Sequence, residues 1–227
     1  MPAMTQLPEA IEVETGATPD ATVIWLHGLG ADGHDFEPVV PELGLPAGLG
    51  LRFVFPHAPV RPVTINMGMP MRAWYDILQM GGGREDAPGI RASQALVETL
   101  IARERDRGIA ATRIVLAGFS QGGAIALHAG LRHTQPLAGV LALSTYLPLA
   151  STLAAERSEA NRDAPVFLAH GTHDPMIGID RARASRAALE ALGYPVQWRE
   201  YAMPHSVCAE ELADIGAWLV SRLAPTA

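Results

Sequence analysis

Along the chain, short β-rich runs alternate with longer stretches in which apolar positions recur every three or four residues. The runs at 21–27, 51–55, 113–119, 137–143, 165–170 and 196–201 are predicted strands. Most of them, IVLAGF and VFLAH among them, lack polar alternation, which is the pattern of strands covered on both faces. Helices are predicted in between. In 92–107 the pairs Leu96/Leu100 and Val97/Ile101 fall at i,i+4, with Gly108 as a left-handed stop. The stretch 121–131 is apolar nearly all round and belongs deep in the fold. Asp180 caps a helix over 180–192 that ends at Gly193, and a last helix over 207–223 gathers Leu212, Ile215, Trp218 and Leu219 on one side.

This alternation is that of βαβ units, so the expected architecture is α/β, a mostly parallel central sheet with helices on both faces. The chain is 227 residues long, without internal repeat or linker, and one domain over 1–227 is expected. The segment 57–88 is the exception. Its prolines, glycines and the run Met67-Gly-Met-Pro-Met71 predict long loops or short strands instead of helix.

Composition narrows the function by exclusion. Net charge is -7, a poor match for a nucleic acid backbone. The mixed-sign cluster RERDR (103–107) reads as a solvated helix face. Cys208 is the single cysteine, so no internal disulfide can form. No basic-then-apolar leader opens the chain and no run approaches a membrane span. A cytoplasmic protein without stable membrane insertion is expected.

The chemistry begins at Gly118-Phe-Ser-Gln-Gly122, a G-x-S-x-G sequence. An apolar strand runs into it and an apolar helix runs out, the context of a nucleophile elbow in an α/β-hydrolase fold. Ser120 is therefore the candidate nucleophile. A serine hydroxyl needs a base, and His205 follows the last predicted strand, in a loop at the carboxyl edge of the sheet. Asp174, just beyond the strand 165–170, is the candidate partner for the far imidazole nitrogen. Asp163 precedes that strand and falls at the wrong edge. His170, His173 and Asp174 also lie close in sequence, but no further ligand motif joins them, so no metal is expected. Cys208 lacks a strand-to-helix turn and reads as packing.

Acyl transfer also needs donors for the developing oxyanion. The backbone N–H of Gln121, after the nucleophile, is one; the glycine-rich loop His27-Gly-Leu-Gly30 after the first predicted strand offers Leu29 as the other.

Seven segments, HGLGADGHDF (27–36), FPHAP (55–59), RAWYDI (72–77), LAGFSQGG (116–123), LSTYLP (143–148), HGTHDPM (170–176) and MPHSV (203–207), resemble bacterial carboxylesterases related to acyl-protein thioesterases, the phospholipase/carboxylesterase family. The resemblance implies the triad Ser120, Asp174 and His205, with Leu29 and Gln121 as oxyanion donors. Thr145 stands where some members have glycine or cysteine. It also implies hydrolysis of carboxylic esters of short to medium chains through an acyl-enzyme, with thioesterase or lysophospholipase activity as the alternative and a non-catalytic binding protein as the remote one. No cofactor is called for. The partner is a small ester or thioester, a lipid or an acylated protein.

Only 144–164 separate two predicted strands where relatives insert a lid, so no large lid domain is expected. Met69, Met71, Trp74, Leu147 and Met176 are the candidate walls of the acyl pocket, with the 67–71 loop an alternative homodimer contact.

Overall fold

The computed structural model describes residues 7–79, 81 and 83–224. Nine strands form: β1 (Ala10–Glu14), β2 (Ala21–Leu26), β3 (Leu51–Pro56), β4 (Val60–Pro62), β5 (Pro70–Arg72), β6 (Ile114–Phe119), β7 (Gly139–Leu143), β8 (Val166–Gly171) and β9 (Val196–Tyr201). Seven make one sheet in the order β1-β3-β2-β6-β7-β8-β9, and β4 and β5 form a separate hairpin. All neighbours in the main sheet are parallel except β1, which runs antiparallel along β3 at one edge. The helices are α1 (Ala87–Asp106), α2 (Gln121–Gly130), α3 (Ala150–Glu156), α4 (Ile179–Ala191) and α5 (Ala209–Leu223). This is the α/β-hydrolase architecture, a mostly parallel sheet between helices.

The period-two geometry of a strand explains the uninterrupted apolar runs. In β2, Val23 and Trp25 join the core on one face with Leu212, Ile215 and Trp218 of α5. Ile24 and Leu26 join the core on the other with Val97 and Leu100 of α1 and Leu127 of α2. Both faces are covered, so alternation disappears from the sequence. The peripheral β9 differs: it alternates partly buried and exposed residues.

Three expectations are corrected. Strand β1 was not anticipated, because AIEVE is short, half polar and paired along one side only. Helix α1 starts at Ala87 instead of Ala92: Pro88 takes the first turn, where its missing N–H costs nothing, and the Asp86 side chain accepts the Gly89 N–H as cap. Asp180 is not a cap. Gly178 holds that position, and Asp180 sits in the first turn as a favourable negative charge.

RERDR is not simply a solvated face either. Glu104 is fully buried and pairs with Arg52 at 2.9 Å, Arg103 at 2.9 Å and Arg107 at 3.1 Å, while Thr22 donates its hydroxyl at 3.0 Å. These bonds hold its carboxyl below the usual range against the desolvation that would raise it. The cluster ties α1 to the ends of β2 and β3 where those strands begin, at the edge away from the candidate triad.

A second buried carboxyl behaves oppositely. Glu211 in α5 has no exposure and no hydrogen-bond partner for either oxygen among the described residues. Burial pushes it up to about 8, and the nearby Cys208 N–H does not offset that. The fold thus favours the neutral acid, so its contribution is intact below the ordinary glutamate pKa and is lost as pH rises through about 8. We expect Glu211→Gln to gain thermal stability over the parent chain as pH rises from 5 to 8.5, in melts followed by circular dichroism. An equal difference between the two at every pH would contradict this.

Candidate active site

The sheet reverses its order of connection between β2 and β6. From β2 the chain passes outward to β3; from β6 it proceeds through β7 and β8 to β9. At such a switch point the loops leaving two neighbouring strands diverge and open a crevice at their carboxyl ends. The loop after β2 carries Leu29, and the turn after β6 carries Ser120.

The turn at Ser120 is sharp enough to force the residue to φ 54°, ψ −119°, a conformation non-glycine residues rarely adopt. Ser120 N–H donates to the Leu143 carbonyl at 2.8 Å and the Thr145 hydroxyl donates to the Ser120 carbonyl at 2.6 Å, which hold the turn from the β7 side. Thr145 is therefore a support of the turn. The closeness of α2 to the sheet requires glycine at 122: a Cβ there would stand 2.2 Å from the Leu26 carbonyl oxygen.

Three side chains distant in sequence meet at this turn. Ser120 Oγ lies 2.9 Å from His205 Nε2, and His205 Nδ1 lies 2.7 Å from Asp174 Oδ2. The carboxylate acceptor requires the proton on Nδ1, which leaves the Nε2 lone pair facing the serine hydroxyl. Asp174 is held from four sides. Its Oδ1 accepts the N–H groups of Met176 at 2.8 Å and Ile177 at 2.9 Å. Its Oδ2 accepts His205 and also lies 3.3 Å from His170 Nε2.

His170, considered in the sequence beside His173 and Asp174 and set aside as a metal ligand, has a structural role. Its Nε2–H donates to the Ile177 carbonyl at 2.7 Å, its side chain is fully buried, and burial lowers its pKa. A neutral imidazole thus braces the segment that carries Asp174. Among the described residues no group of three or more His, Cys, Asp or Glu is arranged to hold a metal.

Leu29 and Gln121 both line the cavity in front of Ser120, and neither backbone N–H has an acceptor among the described residues. His27 sets the orientation of the first. Its Nε2 accepts the Ala58 N–H at 3.0 Å, so its proton is on Nδ1 and donates to the Gly28 carbonyl at 2.7 Å. In a trans peptide the C=O and the following N–H point opposite ways, so anchoring the Gly28 oxygen turns the Leu29 N–H away from His27. Burial lowers His27 to about 4, which keeps it neutral in this role. Gln121 adds a further brace: its side chain accepts the Trp74 N–H at 2.7 Å and donates to the Tyr75 carbonyl at 2.8 Å. Neither side-chain role was visible in the sequence, although His27 opens one of its longest motifs.

The cavity holds about 280 Å³. Of the five wall candidates only Met176 lines it. Trp74 is fully buried with its indole N–H on the His27 carbonyl, and Leu147 belongs to the core. Met69 stands on the β4–β5 hairpin, half exposed, and Met71 packs beside Gly30, outside the lining. With the Trp74 side chain buried in the core, the apolar wall is formed by Ile65, Ile77, Leu78, Phe119 and Ile177, with the Tyr75 ring beside them. The apolar pair 77–78 after RAWYD was the available signal.

The sequence profile of the Phospholipase/Carboxylesterase family matches residues 8–221. The chain belongs to that family. It is 43% identical over 215 residues to acyl-protein thioesterase 1 of Gibberella zeae, covering 90% of this chain and 92% of the fungal one. It is likewise 43% identical over 213 residues to acyl-protein thioesterase 1 of Neurospora crassa, covering 89% and 87%. Among solved structures, Zea mays acyl-protein thioesterase 2 superposes with a TM-score of 0.85 at 29% identity, covering 96% of this chain and 100% of that one. Arabidopsis thaliana SOBER1 gives the same TM-score and identity over 89% and 99%. The motifs resemble bacterial carboxylesterases, whereas these relatives are fungal and plant proteins; the family stands and the bacterial assignment is not supported.

Proposed function

We propose that this chain is a serine hydrolase that cleaves carboxylic esters and thioesters through an acyl-enzyme, with Ser120 as nucleophile, His205 as general base and acid, and Asp174 as orienter. The observation that carries the reading is the pair of contacts at His205, 2.9 Å to the Ser120 hydroxyl and 2.7 Å to the Asp174 carboxylate. Ser120 Oγ attacks the acyl carbon as its proton passes to His205 Nε2. The carbonyl oxygen gains the negative charge and accepts hydrogen bonds from the Leu29 and Gln121 N–H groups, at the N-terminus of α2. Collapse expels an alkoxide or thiolate, which takes the proton back from the imidazolium; water then repeats the sequence on the acyl-serine. Acid suppresses the first step by protonating the base.

The relatives named acyl-protein thioesterase favour thioesters as a second substrate class, and nothing in the machinery distinguishes the two leaving atoms. Among the described residues no helix is long and apolar enough to cross a membrane, so a lipid-linked substrate would be met at a surface.

A fluorophosphonate probe should label Ser120, read by peptide mass spectrometry; labelling elsewhere, with Ser120 untouched, overturns the reading. The apolar wall predicts that kcat/KM on 4-nitrophenyl esters rises from acetate upward by up to about fourfold per methylene, the equivalent of ~0.8 kcal/mol of burial. A flat profile from acetate to octanoate would mean that the cavity does not receive the acyl chain.

A further inference from the structure

The cavity that holds Ser120 is not apolar throughout. Arg181, in the first turn of α4, lines it together with Tyr75 and Tyr146. Its guanidinium carbon lies 3.3 Å from the centre of the Tyr146 ring, a stacked cation–π contact. Tyr146 is fixed in turn, its hydroxyl 2.8 Å from that of Tyr75. Stacking occupies the face of the guanidinium and leaves its N–H edge for other acceptors. Among the described residues Arg181 makes no ion pair and its side chain engages only Tyr146, whereas its neighbours Arg183 and Arg186 both pair with glutamates.

The carboxylates around the same cavity are differently placed. Asp76 accepts the N–H of Thr64 at 2.7 Å and its hydroxyl at 2.5 Å. Asp86 accepts the N–H groups of Asp76 and Gly89, and Glu85 that of Leu149 at 3.0 Å. Asp35 lies on the loop that carries Leu29. The first three are committed to shaping the wall; Arg181 is held against Tyr146 and is paired with none of these carboxylates.

We propose that Arg181 is a specificity-determining residue that recognises an anionic oxygen group, a carboxylate or phosphate, on the substrate in addition to its scissile ester. A planar guanidinium offers two parallel donors to such a group. The proposal rests on the serine-hydrolase reading above, since the cavity is a substrate site only if Ser120 is the nucleophile. It divides possible substrates into two sources: an acyl chain ending in a carboxylate, or a neutral acyl chain esterified to a phosphate-bearing alcohol.

The test compares the full-length chain with Arg181→Met on matched pairs. One arm sets 4-nitrophenyl hydrogen suberate against 4-nitrophenyl octanoate; the other sets a monoacylglycerol phosphate against the monoacylglycerol with the same chain. In one arm the anionic-to-neutral ratio of kcat/KM should fall on the order of tenfold to a hundredfold in Arg181→Met, the size expected for a lost charged hydrogen bond, and Arg181→Lys should recover part of it. The arm in which it falls identifies the source. Unchanged ratios in both arms, with octanoate still cleaved, overturn the proposal and leave the hydrolase reading intact. Absence of cleavage and of probe labelling at Ser120 in the parent chain overturns both. Should Arg181→Met not fold, ligand protection in the parent chain decides: suberamic acid or glycerol phosphate must slow fluorophosphonate labelling of Ser120 at lower concentration than octanamide or glycerol, respectively, and failure of both comparisons refutes the assignment.

Discussion

Replacing Ser120 by alanine should lower kcat on 4-nitrophenyl butanoate by about 10⁴-fold or more, and His205→Ala should do nearly the same. The geometry gives the reason. The hydroxyl and imidazole meet at 2.9 Å, and each is ineffective without the other: a serine without its base stays protonated, and an imidazole without the serine has only water to activate. The double variant should therefore be scarcely slower than either single one. Steady-state rates on the three proteins, with circular dichroism to establish folding, make the check; losses that multiply would mean that the two groups act separately. The activity left in Ser120→Ala would come from binding and the oxyanion donors alone.

Gly122→Ala should be among the most damaging single methyl additions in the molecule. The new Cβ would stand 2.2 Å from the Leu26 carbonyl oxygen and 2.6 Å from that of His27. Both obstacles are backbone, so no rotamer change relieves them, and α2 must separate from β2. A cost above about 3 kcal/mol is expected for such overpacking, a fall in Tm on the order of 6–12 °C for a chain of this size. Activity should fall further than stability, because the displaced carbonyls lead directly into the loop that carries Leu29. Gly48→Ala, with nothing within 4 Å of its Cβ, serves as the control and should melt near the parent. A Gly122→Ala variant with the parent's Tm would show that the helix is not packed this tightly.

Much of the sheet was legible because burial on both faces leaves a local mark. Strands β2, β6, β7 and β8 are buried along almost their whole length and largely apolar, and each appears within two residues of its expected position. The same logic explains what was missed. β1 is an edge strand that packs little, so AIEVE carries no comparable signal. The three residues of the proposed triad could be placed together from the sequence because each follows a strand end, where topology alone fixes the edge of the sheet.

The cavity wall could not be read in that way. Trp74 and Ile77 are three residues apart in one irregular loop and both apolar, yet one is core and the other faces the cavity. What separates them is the long-range pairing of Gln121 with 74–75, which no local pattern records. The buried Glu104 was hidden for a related reason: its principal partner, Arg52, lies 52 residues away.

The order of the strands also sets where the machinery gives way first. Ser120 and Leu29 are anchored to two adjoining interior strands, but His205 hangs from β9, the outermost strand of the far margin, half of whose side chains are open to water. Fraying of that border on mild heating would carry the imidazole off while the proposed nucleophile and anion cradle stayed seated, so turnover would fade well below the melting transition and return on cooling.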